Sequence, residues 1–109
     1  MLNNRFYSML GLCMKAGKVK SGAFSVTDAV HGGKAWVVIT ATDASANTKK
    51  EFMNMCSFYG VPYYEYGTKE ELGHSMGKEE RSCIAICDEG FSKSILKLID
   101  TDAGGKVSE

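Results

Sequence analysis

The stretch that most constrains the fold is residues 35–40 (AWVVIT), an uninterrupted apolar run rich in β-branched side chains. Such a run predicts a β-strand buried on both faces, because a strand with one wet face alternates apolar and polar residues. Two further runs of strand character, residues 61–66 and 82–87, alternate with segments of helical period. We therefore predict an α/β protein, a three-layer α-β-α sandwich around a small mixed sheet of about four strands.

Two capping boxes mark helix starts between these strands. Thr48 with Glu51 predicts a helix beginning at residue 48, and Thr68 with Glu71 predicts a second, shorter helix. The first of these is expected to end at Gly60 after an apolar stripe at helical spacing. The stripe consists of Phe52, Met55, Cys56 and Tyr59.

Three more helices are indicated by hydrophobic period alone. One covers residues 5–15, and one covers residues 23–31, with positions 23, 26 and 30 expected to be buried. The last helix carries an apolar stripe between residues 91 and 99, and a short extended piece at residues 18–21 precedes the second helix.

Length and composition predict one domain, residues 1–100, followed by a polar tail at residues 101–109 that we expect to be flexible. The chain has 109 residues, 44% of them apolar, as in an ordinary soluble globular protein. No signal-peptide core follows Met1, and no apolar run is long enough to cross a bilayer. The sequence thus predicts a cytoplasmic protein without membrane association. Its cysteines are expected to be reduced core thiols, namely Cys13, Cys56, Cys83 and Cys87.

The net charge is zero, but the charge is unevenly divided along the chain. Residues 1–50 contain seven basic and two acidic side chains, whereas residues 51–109 contain six basic and eleven acidic ones. This asymmetry permits a basic face that attracts phosphates, although folding can also mix the two halves.

Signatures of catalysis and of cofactor binding are missing from the sequence. It has no glycine-rich dinucleotide or P-loop motif, and His31 and His74 have no nearby partners arranged as in a catalytic triad. Cys83 and Cys87 are spaced to share one face of a strand, without a second cysteine pair to complete a metal site. We expect no enzyme activity, no metal and no cofactor.

A basic, glycine-containing turn remains as the candidate for function. Residues 15–22 (KAGKVKSG) bring three lysines to the start of a predicted helix, where free amides and the helix dipole favour an anion. The same residues could equally form an ordinary solvated turn. A second loop of mixed charge, residues 77–81 (GKEER), joins the short helix to the last strand.

Several ordered motifs make the chain resemble the bacterial YlxQ-type proteins of the ribosomal protein L7Ae/L30e superfamily, whose members bind kink-turn RNA. The resemblance extends from about residue 4 to residue 100. Its motifs are residues 10–12 (LGL), 16–18 (AGK), 21–22 (SG), 41–50 (ATDASANTKK), 59–62 (YGVP), 68–73 (TKEELG), 77–78 (GK) and 88–91 (DEGF).

The resemblance implies RNA binding without catalysis, with RNA lying across the start of the second helix and the loop before the last strand. The family's helix motif begins with Gly, which Gly22 matches, and continues with Asn, Glu and Lys. At those three places this chain has Phe24, Ser25 and Asp28. Phe can only stack, Ser offers one short hydroxyl, and Asp repels phosphates, so we expect weaker binding to a standard kink-turn.

The later loop matches the family's pattern at Leu72, Gly73, Gly77 and Glu79, while Lys78 and Glu80 replace its aliphatic residues. The implied function is a non-catalytic, ribosomal or ribosome-associated RNA-binding protein, which we expect to be a monomer. The alternative is a protein-interaction module that has kept the fold and lost RNA binding. The candidate RNA-contact residues are Lys18, Lys20, Gly22, Phe24, Ser25, Asp28, Gly77, Lys78, Glu79 and Arg81.

Overall fold

The computed structural model describes residues 4–102, which form five helices and four strands. The helices of this part of the chain are α1 (Asn4–Lys15), α2 (Ala23–His31), α3 (Ala46–Tyr59), α4 (Lys69–Ser75) and α5 (Glu89–Asp102). The strands are β1 (Val19–Ser21), β2 (Val37–Thr40), β3 (Tyr63–Glu65) and β4 (Cys83–Ile86).

The four strands form one mixed sheet in the order β1-β4-β2-β3. β4 pairs antiparallel with β1 on one side and with β2 on the other, while β2 pairs parallel with β3. Ile84 lies opposite Ser21 in one pairing and opposite Ile39 in the other. The last strand in sequence is therefore an interior strand, and the first is an edge strand.

Helices cover both faces of the sheet, which confirms the predicted three-layer sandwich. On one face Val37 and Ile39 of β2 pack into a core with side chains of α1, α4 and α5. On the other face Val38 packs with side chains of α2 and α3. All four residues of β2 and all four of β4 are buried, as expected for interior strands covered on both sides.

The start of α3 differs from the sequence prediction. The helix is capped by Ser45, whose Oγ accepts a hydrogen bond from the backbone N–H of Thr48 at 3.1 Å. Thr48 is therefore the third helical residue and not the cap, so the helix begins about one turn earlier than predicted. Two other predictions are confirmed, namely the capping box of Thr68 and Glu71 at the start of α4 and the end of α3 at Gly60.

Two further details of the helices differ from the sequence prediction. In α2 the buried positions are Val26, Ala29 and Val30, whereas Ala23 is exposed, so the predicted stripe at 23, 26 and 30 is wrong at its first position. α5 continues to Asp102 and so includes two residues that the sequence analysis placed in the tail. Residues 103–109 of that tail lie outside the described residues.

No helix in the described range is both long and apolar enough to span a membrane.

The new assignment of the α3 cap predicts which side chain stabilises that helix. Ser45→Ala should lower the free energy of unfolding by about 1 kcal/mol because an N–H of the first turn loses its acceptor. Glu51→Ala removes the partner of the capping box that the sequence suggested, and should change stability by less than about 0.5 kcal/mol. Urea denaturation of both variants measures this difference. A larger loss for Glu51→Ala than for Ser45→Ala would restore Thr48 as the cap.

Candidate nucleic-acid interface

The start of α2 presents backbone amides without a side-chain cap. Gly22 occupies the N-cap with φ 89° and ψ 155°, a conformation that side-chain-bearing residues rarely adopt. Its N–H donates to the Cys83 carbonyl oxygen at 3.0 Å, so the helix start is fixed to the beginning of β4. Because no side chain caps this end, its first-turn amides and positive dipole end are available to an anion.

Arg81 connects this helix start to the loop that precedes β4. Its Nε donates to Ser21 Oγ at 3.1 Å, and its Nη1 donates to the carbonyl oxygens of Glu80 and Glu79 at 2.9 and 3.3 Å. Its backbone N–H donates to the carbonyl oxygen of Lys69 at 3.1 Å. The guanidinium therefore holds the loop against the end of β1, and the two segments form one surface.

Gly73 allows the loop to fold back over α4. A Cβ atom at this position would meet the carbonyl oxygen of Glu79 and lie 2.6 Å from its carbonyl carbon. The Gly73 carbonyl oxygen also accepts a hydrogen bond from the Lys78 N–H at 2.9 Å. The absence of a side chain at Gly73 thus lets the loop backbone approach, which positions Lys78 and Arg81.

The three diverged motif positions lie at the outer side of α2. Phe24 is 86% exposed, Asp28 is exposed and Ser25 is half-buried. An aromatic ring this exposed at a helix start contributes little to the core, so it is free to stack on a ligand. Gly77, Lys78 and Glu79 of the neighbouring loop are exposed as well.

The structure separates Lys18 from the other candidate residues. Its carbonyl oxygen accepts a hydrogen bond from the Cys87 N–H at 2.7 Å, so Lys18 lies beside the end of β4. Gly22 lies beside the beginning of that strand, about 13 Å away for four extended residues. Lys20 is exposed between them on the edge strand. The surface formed by residues 20–25, Asp28 and residues 77–81 is called the helix-start surface below.

One contact of this surface escaped the sequence analysis. Ser21 and Arg81 are sixty residues apart, and no motif in either segment signals their hydrogen bond. Their approach follows from the antiparallel register of β1 with β4, in which Ser21 is opposite Ile84. The only local signal is that a polar residue ends one strand and a basic residue precedes the other.

The cysteines and histidines form no reactive cluster in the part of the chain that is described. Burial raises the pKa of Cys13 to about 11, of Cys83 to about 11 and of Cys56 to about 12, so these thiols stay protonated. His31 and His74 are both exposed. No group of three or more His, Cys, Asp or Glu side chains among the described residues is arranged to hold a metal ion.

The sequence comparisons agree with this fold. Residues 4–96 match the model of the ribosomal protein L7Ae/L30e/S12e/Gadd45 family. The RNA-binding protein YlxQ of Bacillus subtilis (strain 168) is 37% identical over 95 residues, covering 87% of this chain and 95% of that protein. The large ribosomal subunit protein eL30 of Branchiostoma belcheri is 36% identical over 100 residues, covering 89% of this chain and 87% of that protein.

A solved structure of a protein of unknown function from Bacillus halodurans C superimposes with a TM-score of 0.86 at 36% identity, covering 90% of this chain and 99% of that one. The chain belongs to the ribosomal protein L7Ae/L30e/S12e/Gadd45 family. The resemblance to the YlxQ-type proteins that the motifs indicated is thereby confirmed.

The close approach at Gly73 yields a stability prediction. Gly73→Ala should lower the free energy of unfolding by about 1–3 kcal/mol, because its Cβ forces the backbone of Glu79 to move. Gly90→Ala is the matched control, since a Cβ there meets its nearest neighbour, Asp88 Oδ2, at an ordinary 3.4 Å. Urea denaturation compares the two. Equal stability of the Gly73 and Gly90 variants would show that the loop does not need this approach.

Proposed function

We propose that this protein is a non-catalytic RNA-binding protein of the translation apparatus, that it acts in the cytoplasm, and that the helix-start surface is its RNA-contact surface. The proposal rests chiefly on one observation, the 86% exposed Phe24 at a helix start without a side-chain cap, beside a loop that carries Lys78 and is hydrogen-bonded through Arg81 to Ser21. A helix start of this kind suits a phosphate, and an exposed ring suits an unpaired base.

The names of the relatives support the same proposal. The Bacillus subtilis relative is named an RNA-binding protein, and the Branchiostoma belcheri relative is named a protein of the large ribosomal subunit. A role on the ribosome follows for this chain as part of the proposal, as does the absence of catalysis.

Five residues of the surface have a proposed part in this function. Lys20 and Lys78 attract phosphates without regard to sequence, and Phe24 stacks on a base. Arg81 combines its positive charge with holding the loop, because its guanidinium already donates to Ser21 and to two loop carbonyls. Gly22 leaves room for the RNA backbone to approach. Lys18, at the far end of β1, contributes at most a long-range attraction to RNA bound at the helix-start surface.

The preferred RNA follows from the diverged positions. In kink-turn binders the corresponding Asn, Glu and Lys contact base edges and phosphates, whereas Phe24 and Ser25 cannot form such bidentate contacts. Asp28 places a negative charge on the same exposed side of the helix. We therefore propose that a standard kink-turn binds weakly, and that a structured RNA with an unpaired base suited to stacking is preferred.

The triple change Phe24→Asn, Ser25→Glu, Asp28→Lys should create tight kink-turn binding. Each restored bidentate contact is worth about 1–3 kcal/mol, so two of them should raise affinity by about a hundredfold or more. None of the three side chains is buried, so the fold should be unaffected. Titration with one kink-turn RNA measures the affinity of the wild type and of the triple variant.

A kink-turn RNA whose tandem G·A pairs are replaced by Watson–Crick pairs is the control for that titration. Nanomolar binding of the kink-turn by wild type would contradict the explanation based on these positions. A correctly folded triple variant that gains no affinity would contradict it as well.

The alternative function, docking of a protein partner, is favoured by the same exposed Phe24 with Asp28 on the same helix, since aromatic anchors are common in protein interfaces. Salt dependence separates the two functions, because RNA binding through lysines releases counterions.

Lys78→Ala should weaken binding to all RNAs about equally and reduce the slope of log K against log salt by about one. Asp28→Ala, on the same surface, should instead strengthen binding. Fluorescence anisotropy measures the affinity of both variants for two unrelated structured RNAs. The salt concentration is varied between about 50 and 200 mM, the range over which phosphate contacts respond. Loss of binding to only one RNA, with the slope unchanged, would show that Lys78 reads sequence.

A further inference from the structure

A second aromatic surface lies at the opposite end of α2, about 13 Å along the helix axis from the helix-start surface. It is a groove of about 490 Å³ between the ends of α2 and α3 and the residues that precede β2 and β3. Its lining includes Val30, His31, Trp36, Tyr59 and Pro62. We call it the aromatic groove.

The rings of the aromatic groove are open to solvent. Trp36 is 48% exposed and Tyr59 is 46% exposed. The ring centroids of His31 and Tyr59 are 5.1 Å apart with an interplanar angle of 39°. Indole and phenol rings exposed to this degree lose contact with water when a flat ligand stacks on them, which favours binding of such a ligand.

Three lysines belong to the segments that adjoin the neighbouring end of β4. The Trp36 N–H donates to the Ile86 carbonyl oxygen at 2.8 Å, and the next residue, Cys87, donates to Lys18. Burial raises the pKa of the Cys87 thiol, and the positive charges of Lys20, Lys34 and Lys18 act in the opposite direction. The backbone hydrogen bonds thus place the segment of Lys18 beside the end of β4, next to Trp36 of the aromatic groove.

The charges of the groove favour an anionic ligand with a flat ring. None of the described residues that line the groove is acidic. The C-terminal end of α2 carries the negative pole of the helix dipole, so a phosphate would have to bind at the lysines and not at the helix end. Lys34 is placed for this, since it lies two residues before Trp36.

We propose that the aromatic groove binds an unpaired base of single-stranded RNA against Trp36 and Tyr59, with the flanking phosphates on Lys34 and Lys18. The inference rests on the proposed RNA-binding function and adds a second contact site to it. The two sites lie at opposite ends of α2, so one RNA could bind its folded part at the helix-start surface and a single-stranded extension at the groove. Aromatic stacking tolerates any base, and the groove should therefore show little sequence preference.

The fluorescence of Trp36 reports directly on this site because it is the only tryptophan in the chain. The full chain is titrated with the oligonucleotide hexa-adenylate in low salt while the tryptophan emission is recorded. We expect quenching that saturates, and an affinity that falls as salt is raised. Binding of a fluorescently labelled structured RNA to the same protein is measured in parallel by anisotropy.

Two variants and a matched control test the assignment. Tyr59→Ala should weaken hexa-adenylate binding between about 5- and 150-fold, and Lys34→Ala should reduce the salt slope by about 0.7. Phe58→Ala is the control. Phe58 is 83% exposed and its ring centroid is 5.0 Å from that of Tyr59, but it does not line the groove. Circular dichroism verifies that each variant is folded.

The outcomes separate this inference from the proposed function. The groove assignment is supported if hexa-adenylate quenches the tryptophan emission saturably and the variants differ as expected. Tyr59→Ala and Lys34→Ala then weaken this binding, and Phe58→Ala leaves it unchanged. Structured RNA that binds while hexa-adenylate leaves the emission unchanged overturns the groove and leaves the proposed function standing. Quenching by a proline-rich decapeptide but not by hexa-adenylate overturns the inference in favour of a protein partner. Binding of neither RNA contradicts the proposed function itself.

Discussion

β4 is hydrogen-bonded on both sides, to β1 and to β2, and the position of the proposed site depends on this double pairing. Pairing with β2 makes β4 an interior strand, buried on both faces between the two helical layers. Pairing with β1 then places Gly22 beside Cys83, so α2 starts next to the loop that enters β4. Two segments about sixty residues apart in sequence thereby become one surface.

Much of the fold could be predicted because its signals are local. The buried strand at residues 37–40 is visible as an apolar run, and the cap of α4 as a Thr68–Glu71 pair. The start of α3 was missed because Ser45 and Thr48 both fit a cap, and the sequence does not show which one lies outside the helix. Ala23 was placed in the core because the period alone does not show that the first residue of α2 is exposed.

The site could be predicted only where its residues act through their own chemistry. Exposed Phe24, the lysines and the glycines of the two loops are recognisable as residue types. The hydrogen bond of Arg81 to Ser21 depends on strand register, which no local pattern encodes. The distance of Lys18 from Gly22, by contrast, follows from the extended conformation of the residues between them. Exposed aromatic side chains lie near both ends of α2, with Phe24 at its start and Trp36 and Tyr59 lining the groove at its other end.

The central claim is that RNA contacts the helix-start surface, and amide chemical-shift mapping tests it most directly because it detects weak as well as tight binding. The ¹⁵N-labelled protein is titrated with a structured RNA that contains a kink-turn, and shifts are recorded for every amide. We expect the largest changes at Gly22, Ala23 and Phe24 and at residues 78–81. The hydrogen bonds from Arg81 to Ser21 and from Gly22 to Cys83 hold these two segments side by side. Shifts confined to the outer faces of α1 and α5, with these amides unchanged at saturation, would contradict the claim.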